Sequence, residues 1–231
     1  MRVLIVDDDK EIVELLSIYA QSEGYEVLKA YNGQQAVKKF EQAGDVGIIL
    51  MDVMMPIMNG LQVVKHIRDY SNVPIILLTA KTDDVDKIRG LVTGADDYVT
   101  KPFNPIEVMI RIKSVTRRVS QPKMANSSDL IVLNGITINT ATNEVKNNKD
   151  ELIPLTASEF QVLLLLANNL GKIFTADDVY KEIWDSEDSV SGKTVMVHIS
   201  HLRDKLDKAT NGEKIVQTVW GKGYKIDEYT P

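Results

Sequence analysis

The sequence contains no cysteine, so disulfide bonds and thiolate metal sites are excluded. Its three histidines, His66, His198 and His201, are too few and too scattered to predict a zinc site. No apolar stretch approaches the roughly 20 residues that a membrane-spanning helix needs. The apolar run at the N-terminus is also too short for a signal peptide. We therefore expect no association with membranes and a cytoplasmic location.

The remaining composition is that of an ordinary globular protein. Of the 231 residues, 44% are hydrophobic and 26% are charged, which is enough to bury a core. This length suggests one large domain or two smaller ones. The net charge of −6 argues mildly against nucleic-acid binding over the whole surface, although an average can hide a local basic patch.

Short apolar runs alternate with amphipathic segments over residues 1–118. The runs are rich in Val, Ile and Leu, and several lack polar alternation, which is typical of strands buried on both faces. Five strand–helix repeats in this order predict a doubly wound, five-stranded parallel sheet. Helical spacing predicts that these residues face inward: Ile12, Leu15, Leu16 and Tyr19 in the first helix, Val85, Ile88 and Val92 in the fourth, and Ile106, Met109 and Ile110 in the fifth.

The character of the chain changes after residue 118. Residues 119–128 contain Pro, Ser and Asn without periodicity and are predicted to form a linker. Residues 129–231 begin with short strand candidates, among them Glu151–Ile153, that are separated by turn sequences. Three helices and a terminal hairpin follow, and the third helix is predicted from about Ser191 to Lys208. We therefore expect a second, α+β domain.

Two of these helices carry start signals in the sequence. Thr156 and Glu159 form a capping-box pattern, in which each side chain binds a backbone amide of the other residue. Thr175 and Asp178 repeat the same spacing before the second helix. Both pairs predict where a helix begins.

Acidic residues follow the first and third predicted strands. Asp7–Asp9 come directly after the first, and Asp52 lies within the apolar run Ile48–Pro56. The carboxyl ends of parallel strands meet at one edge of a sheet, so we expect these carboxylates to lie together. Because like charges repel, a hard cation such as Mg²⁺ is expected among them.

Thr79 and Lys101 would add a hydroxyl and an ammonium group to the same edge. This set suits phosphoryl transfer to Asp52, with the cation offsetting charge on the transferred oxygens and Thr79 and Lys101 holding the product. Taken alone, Asp7–Asp9 could be a solvated turn that caps a helix. Asp52 is harder to explain in that way, because an unpaired charge within a buried run is costly.

The motifs "LIVDDDKE", "IILMDVMMPIMNG", "PIILLTAK" and "GADDYVTKPFNP" together resemble the receiver domain of two-component response regulators, which has a flavodoxin-like fold. The resemblance implies that Asp52 is the phosphoacceptor. It implies that Mg²⁺ is bound by Asp7, Asp8, Asp52 and the main-chain carbonyl of Met54. The phosphate-binding and switch residues it implies are Thr79, Ala80, Tyr98 and Lys101. In that switch, phosphate draws the Thr79 hydroxyl toward itself and Tyr98 turns into the vacated space.

The segment "KIRGLVTGADDYVTKPFNPIEVMIRIKSVTRR" resembles the dimerising face of one subfamily of these regulators. The residues that correspond to its intermolecular ion pairs are Lys87, Asp96, Asp97, Glu107, Arg111 and Arg118. A single exposed ion pair contributes little, but a network at a two-fold face sets geometry and partner choice. The resemblance therefore implies a homodimer on phosphorylation.

The second half resembles the winged helix-turn-helix effector of OmpR/PhoB-type regulators through "LTASEFQVLLLLANNLGKIFTADDVYKEIW", "KTVMVHISHLRDKL" and "VQTVWGKGYKI". Charge agrees with this. Residues 129–189 carry 4 Lys and Arg against 11 Asp and Glu, whereas residues 190–226 carry 7 against 3, a net charge of +4. The basic charge thus lies where a recognition helix and wing would meet DNA phosphates.

The resemblance assigns specific DNA contacts. Val197 and His201 would enter the major groove, where Val197 could touch a thymine methyl group. Phosphates would be held mainly by Lys193, His198 and Arg203. Further DNA contacts are expected at Thr194, Thr218, Trp220 and Lys222. The helix residues expected to face the core instead are Val195, Ile199, Leu202 and Leu206.

Two departures from the family pattern concern DNA recognition. Ser200 and His201 stand where relatives often carry arginines, and Trp220 stands where many have arginine in the wing. Trp220 could pack under the wing or lie against the minor-groove wall. The ending "TVWGKGYKI" together with the receiver motifs is similar, more narrowly, to VanR-type regulators of glycopeptide resistance.

These features predict a response regulator that a sensor histidine kinase phosphorylates and that binds tandem half-sites in promoter DNA as a dimer, with RNA polymerase as a further partner. The receiver would assist its own phosphorylation and dephosphorylation without being an enzyme by role. Haloacid-dehalogenase-like phosphohydrolases need an acid two residues after the nucleophile, and that position is Met54. A dinucleotide-binding domain lacks its Gly-x-Gly-x-x-Gly motif here. A DNA-binding regulator with a vestigial receiver remains an alternative, against which the intact acidic pair, Thr79 and Lys101 argue.

Overall fold

The computed structural model describes residues 1–80, 93–120, 129–184 and 191–228, with side chains described for all of these except 117–120 and 191. The chain divides into two compact units, Met1–Thr116 and Arg117–Pro231. The predicted fourth helix of the first domain, with Val85, Ile88 and Val92, lies outside the described residues. The predicted domain bounds stay predictions.

The first unit is a doubly wound parallel sheet, as predicted. Its elements, with the final helix crossing into the second unit, are β1 Arg2–Val6, α1 Lys10–Ser22, β2 Glu26–Ala30, α2 Gly33–Ala43, β3 Val46–Asp52, α3 Gly60–Arg68, β4 Ile75–Ala80, β5 Asp97–Lys101 and α4 Pro105–Ser120. All five strands are parallel, in the order β2-β1-β3-β4-β5. Strands β1, β3 and β4 are apolar on both faces and almost wholly buried, because helices cover the sheet on both sides. Helix α4 extends two residues into the predicted linker.

Two helices turn a different face inward from the one predicted. Helix α1 buries Val13, Leu16, Ser17 and Ala20, so Leu15 is exposed. The buried face of α1 includes Ser17, so apolar spacing alone does not identify this face. The Ser17 hydroxyl donates a hydrogen bond to the Val13 carbonyl, which lets it be buried. In α4 the inward residues are Val108, Met109, Ile112 and Val115, and the prediction is wrong for Ile106 and Ile110, which are exposed.

The second unit combines antiparallel strands with three helices, as predicted. Its elements are β6 Leu130–Leu133, β7 Ile136–Asn139, β8 Glu144–Asn147, α5 Ala157–Ala167, α6 Ala176–Trp184, α7 Ser191–Ala209, β9 Gln217–Val219 and β10 Gly223–Lys225. The first three strands form one sheet, and the last two form a hairpin. The predicted strand Glu151–Ile153 is reduced to a single bridge between Lys146 and Leu152. Among the described helices, none is long and apolar enough to cross a bilayer.

Both predicted helix start signals are confirmed. Thr156 and Glu159 form a reciprocal capping box at the start of α5. At the start of α6, the Asp178 carboxylate accepts from the Thr175 amide at 2.9 Å, and the Thr175 hydroxyl accepts from the Asp178 amide at 3.0 Å. These caps satisfy amides that would otherwise be left without partners at the first turn.

The terminal hairpin is fixed to the segment that precedes α6. Phe174 and Tyr224 exchange two backbone hydrogen bonds of 2.9 and 2.8 Å. Gly223 adjoins this bridge with a φ of 136°, and a Cβ there would lie 1.9 Å from the Phe174 carbonyl oxygen. Only glycine allows this close approach, so the hairpin position depends on it.

Candidate functional site

Three carboxylates meet at the carboxyl edge of the parallel sheet. One oxygen from each of Asp7, Asp8 and Asp52 lies within 4.8 Å of the other two. Asp7 and Asp52 are buried and Asp8 is exposed, so the cluster opens toward solvent on one side. Three hard oxygen ligands beside open solvent fit the preference of Mg²⁺ for carboxylates and retained water.

Asp9, the third residue of the acidic run, has a different role. Its side chain accepts from the Glu11 amide and caps α1. Its own amide donates to an oxygen of Asp7 at 3.0 Å, which helps to orient that carboxylate. The capping explanation therefore holds for Asp9 and does not apply to Asp7 and Asp8.

Lys101 joins two of the carboxylates. Its Nζ lies 2.6 Å from Asp7 Oδ2 and 2.6 Å from Asp52 Oδ1. Burial lowers the pKa of Lys101, but the hydrogen bonds to Asp52 and Asp7 outweigh this and leave the pKa above its ordinary value. The lysine therefore remains a cation at the edge where an anion would be held.

Asp52 has one engaged oxygen and one open oxygen. Oδ1 binds Lys101, whereas Oδ2 is buried and accepts no hydrogen bond from any residue that the structure describes. Burial raises the pKa of Asp52 to about 6; Lys101 opposes this, and the neighbouring Asp7 and Asp8 add to it. Because burying an unpaired carboxylate oxygen is costly, this position favours the binding of a partner such as a cation.

Thr79 and Tyr98 lie on the same face of neighbouring strands. In the register of β4 and β5, Leu77 pairs with Tyr98 and Thr79 with Thr100, which places the predicted switch residues diagonally. Thr79 is buried, and its hydroxyl donates to the Ala80 carbonyl at 3.3 Å. Tyr98 is already buried in this structure, and its role in the switch stays a prediction.

The loop after Asp52 places Met54 and is held by close backbone packing. The Met54 side chain is exposed, which is compatible with the predicted use of its carbonyl alone. The Gly60 amide donates to the Val53 carbonyl at 3.1 Å. A Cβ on Gly60 would lie 2.1 Å from the Asp52 carbonyl oxygen, so α3 can begin this close to Asp52 only with glycine.

The predicted dimer face needs one correction, at Asp96. Its carboxylate is fully buried and accepts from Arg68 Nη2 at 2.9 Å and from the Ile75 amide at 3.0 Å. It therefore anchors the loop before β5 and is not available for an intermolecular ion pair. The sequence shows that Asp96 is acidic but not that its partner is Arg68, 28 positions earlier in the chain.

The other dimer-face residues form a network within the unit. Arg111 Nη1 lies 3.1 Å from Asp97, and Arg111 Nε lies 3.2 Å from Glu107 one helical turn away. Ile106 and Ile110 lie exposed on the same helix. Lys87 and the Arg118 side chain lie outside what the structure describes, so their predicted pairings stay predictions.

Two predicted DNA contacts on α7 are also corrected. Thr194 is fully buried, and His198 is only 1% exposed, with its ring stacked at 5.3 Å on Trp184. Neither side chain can reach a phosphate in this conformation. The sequence placed His198 outside the core face or near its edge and listed Thr194 as a DNA contact, whereas the structure buries both side chains.

Arg203 and His201 are half-buried, and both contact other residues of the second unit. Arg203 donates through Nε to the Val216 carbonyl at 2.9 Å and through Nη2 to the Thr218 hydroxyl at 2.8 Å, so it fastens the hairpin to α7. His201 Nδ1 lies 3.9 Å from the buried Glu159. Their predicted DNA contacts stay predictions, with less of each side chain available than expected.

The hairpin tip presents Trp220 to solvent. Trp220 is 92% exposed, so the predicted alternative in which it packs under the wing is wrong. Lys222 is exposed beside it, and Thr218 is exposed on β9. A tryptophan this exposed is unusual, because it leaves a large apolar ring in water.

The sequence interpretation missed the contact between Glu159 and Lys205 and the exposure of Met196. Glu159 closes the capping box and also accepts from Lys205 Nζ at 2.6 Å, which joins α5 to α7. Met196 and Ser200 are exposed on α7. Helical spacing counted from Val195 and Ile199 would have placed both on the outward face.

Comparison with known proteins agrees with this architecture. Residues 3–113 match the response regulator receiver domain, and residues 149–226 match the C-terminal domain of transcriptional regulatory proteins. The regulatory protein VanR of Enterococcus faecium is 39% identical over 230 residues, which cover 98% of this chain and 99% of that protein. The transcriptional regulatory protein SrrA of Staphylococcus aureus is 36% identical over 97% of this chain and 95% of its own.

A likeness among solved structures supports the fold alone. A mutant form of RitR aligns with a TM-score of 0.74 and 23% identity over 99% of both chains. One conclusion follows from the full-length similarity to VanR and SrrA, the two matched domains and the acidic edge at Asp52. The chain belongs to the two-component response regulators of the OmpR/PhoB type, which join a receiver to a winged-helix transcriptional regulatory domain.

Proposed function

We propose that this regulator is switched by phosphorylation of Asp52 and then binds promoter DNA through α7 and the β9–β10 hairpin. The observation that carries the first half is the open Oδ2 of Asp52, which is buried beside Asp7, Asp8 and Lys101. An oxygen with no competing hydrogen bond is free to act as a nucleophile.

In the proposed transfer, Asp52 Oδ2 attacks the phosphorus of a phosphohistidine on a sensor histidine kinase. The O–P bond forms as the P–N bond breaks, and the histidine nitrogen keeps the electron pair and takes up a proton. Lys101 has its ammonium 2.6 Å from the other oxygen of Asp52, where it can hold the product phosphate. Thr79 would supply a hydroxyl donor from the next strand.

The group we propose at the acidic edge is Mg²⁺, held by Asp7, Asp8, Asp52 and the Met54 carbonyl. Bound there, it would offset the negative charge that accumulates on the phosphoryl oxygens. The receiver's help in its own phosphorylation and dephosphorylation belongs to this proposal. In both reactions the receiver acts only on its own Asp52, so the protein is a regulator and not a turnover enzyme.

Phosphorylation would act through a homodimer. Asp97, Glu107 and Arg111, together with Lys87 and Arg118, are the proposed contacts of the paired receivers. Two effector domains would then engage tandem half-sites in promoter DNA in the cytoplasm, with RNA polymerase as a further partner. The concentration of basic charge in residues 190–226 supports the DNA contact.

Intact-mass measurement tests the proposal most directly. The full chain is incubated with acetyl phosphate and Mg²⁺, beside Asp52→Asn and beside wild type with the metal chelated. We expect one phosphoryl group on wild type with Mg²⁺ and none in either control. Sedimentation and DNA binding of the same samples then report the output. A wild-type chain that gains no phosphoryl group would refute the phosphoacceptor role, and one that gains it without tighter dimerisation or DNA binding would favour the vestigial receiver.

A further inference from the structure

The loop between β3 and α3 contains an isoleucine in an unusual backbone conformation. Ile57 has a φ of 73°, which places it in the left-handed region that side-chain-bearing residues rarely adopt. The other described residues with a positive φ are glycine, asparagine or aspartate, which tolerate that region. A β-branched residue tolerates it poorly, because its side chain crowds the backbone there. Ile57 is therefore a local source of strain.

A hydrogen bond identifies the turn around Ile57. The Met58 amide donates to the Pro56 carbonyl, two residues earlier, at 2.9 Å. With a positive φ at the residue between them, this is the form of γ-turn that is rarer and more strained than the inverse form. The Ile57 side chain is 75% exposed, so its own packing does little to offset the strain. The rest of the loop must therefore hold the turn in place.

The loop is fixed on both sides of this γ-turn. The Gly60 amide donates to the Val53 carbonyl at 3.1 Å and closes the loop on itself. Met58 packs closely on the start of α2, where a Cβ on Gly33 would lie 2.5 Å from the Met58 carbonyl oxygen. These contacts hold a conformation that Ile57 by itself disfavours.

The strained turn lies in the segment that carries part of the proposed metal site. Asp52 ends β3, and Met54, whose carbonyl is a proposed ligand of Mg²⁺, lies three residues before Ile57. Oxygens of Asp7, Asp8 and Asp52 lie within 4.8 Å of one another in the same structure. The strained form of the loop is thus the form found with the three carboxylates gathered. A loop that relaxed at Ile57 would shift the Met54 carbonyl relative to them.

We propose that Ile57 lowers the affinity of the acidic edge for Mg²⁺, because it favours a relaxed loop over the strained one. Only the strained form presents the Met54 carbonyl, so the apparent affinity falls with the fraction of chains in that form. Ile57 is a positioning residue in this role, since it acts through Met54 and its side chain offers no ligand atom. The inference rests on the proposed Mg²⁺ site.

Isothermal titration calorimetry of the full chain with Mg²⁺ tests the proposal through three substitutions. Ile57→Gly removes the crowding at positive φ, and Ile57→Asn lessens it while keeping a side chain. Both should bind Mg²⁺ about three- to ten-fold more tightly than wild type, within the range that the cost of a left-handed residue allows. Ile57→Val is the matched control, because it stays β-branched and should keep the wild-type affinity. Asp52→Asn should lose most of the binding, which locates the titrated site.

The rate of phosphorylation by acetyl phosphate gives a second measurement. Below the wild-type dissociation constant for Mg²⁺, Ile57→Gly and Ile57→Asn should gain a phosphoryl group faster than wild type and Ile57→Val. At saturating Mg²⁺ all four chains should react at the same rate, because the bound metal then holds the strained loop in each. Circular dichroism and thermal melting establish that each variant is folded.

The two proposals fail in different ways. If wild type binds no Mg²⁺, or Asp52→Asn binds it as tightly, the proposed metal site is wrong and this inference with it. If wild type binds Mg²⁺ at this site and either Ile57→Gly or Ile57→Asn fails to bind it more tightly, the site stands and the inference is overturned. A gain shared by Ile57→Val, or a rate difference that persists at saturating Mg²⁺, would also overturn it, because strain would then not set the affinity.

Discussion

Asp52 is a buried carboxylate whose charge is only partly offset. Its pKa is raised from 3.8 to about 6, chiefly by burial, although Lys101 lies 2.6 Å from it. The folded state therefore holds a proton at Asp52 more tightly than the unfolded chain does. By linkage, wild-type stability falls as the pH rises from about 4 through about 6. The buried charge of Asp52 therefore costs stability at neutral pH.

Asp52→Asn should therefore stabilise the metal-free protein at neutral pH. We expect a gain on the order of 1 kcal/mol in the free energy of unfolding at pH 7, since Asn removes the buried charge but also one partner of Lys101. The gain should shrink as the pH falls below about 6, where wild-type Asp52 takes up its proton. Urea unfolding in chelator at several pH values measures it. Asp69→Asn, at an exposed position of the same unit, is the control substitution, and a gain for Asp52→Asn that is independent of pH would contradict the assignment.

Glycine is required at position 60 because there is no room for a Cβ, and not because of an unusual backbone angle. Gly60→Ala would force a Cβ to within 2.1 Å of the Asp52 carbonyl oxygen, so the loop and Asp52 must shift. We expect a loss of about 1–3 kcal/mol in stability and phosphorylation by acetyl phosphate slowed on the order of 10- to 100-fold. Thermal melting and the rate of mass gain report the two effects separately.

Gly44→Ala is the matched control for that substitution. Gly44 ends α2 with a φ of 68°, but a Cβ there meets no atom within 4 Å. It should cost about 1–2 kcal/mol in stability through backbone strain and leave the phosphorylation rate unchanged. Equal phosphorylation rates in the two variants would show that Gly60 does not position Asp52.

At the scale of elements, the β9–β10 hairpin is held in place by contacts with the segment before α6 and with α7. These include the Phe174–Tyr224 bridge and the hydrogen bonds of Arg203 to Val216 and Thr218. A two-stranded hairpin is marginally stable in isolation, so its orientation depends on these anchors. The exposed Trp220 is thereby held away from the rest of the second unit's core.

Gly223→Ala should release this hairpin. The added Cβ would meet the Phe174 carbonyl oxygen at 1.9 Å, so the Phe174–Tyr224 bridge must open. Gly221→Ala, on the same turn, also has a positive φ but meets no atom within 4 Å. We expect the Gly223 variant to lose stability and DNA affinity, and the Gly221 variant to lose only about 1–2 kcal/mol of stability. Melting and duplex binding compare them, and equal DNA affinities would argue against a role for the hairpin in binding.

At the scale of the whole molecule, dimerisation would have to cover Ile106 and Ile110. Both are more than half exposed on α4, beside the Arg111 network. If the receivers pair through this face, Ile110→Glu places a charge in an apolar contact. We expect it to weaken the phosphorylated dimer by about ten-fold or more without changing phosphorylation.

Ile18→Glu provides the control for this prediction. Ile18 is equally exposed but lies on α1, outside the proposed dimer face. Sedimentation of both variants after acetyl phosphate treatment should show a dimer for Ile18→Glu and a monomer for Ile110→Glu. Dimers of equal stability in both would place the interface elsewhere.

Several features could be predicted because they depend on local pattern. The parallel sheet follows from continuous apolar runs that alternate with helical spacing, and the edge cluster follows from strand order alone. The capping pairs Thr156–Glu159 and Thr175–Asp178 were confirmed, because a cap involves residues three positions apart and little else. The wrong assignments concern the burial of single side chains. Ile106, Ile110 and Leu15 are apolar residues that the structure leaves in solvent.

The sequence by itself determined the two-domain architecture, the residues of the acidic edge and the basic bias of residues 190–226. Only the tertiary structure decided which charged and aromatic groups are available. Asp96 is buried against Arg68, His198 is stacked on Trp184, and Arg203 fastens the hairpin. The physical reason is reach: these partners lie far apart along the chain, and each polar group binds the donor or acceptor that folding brings within about 3 Å.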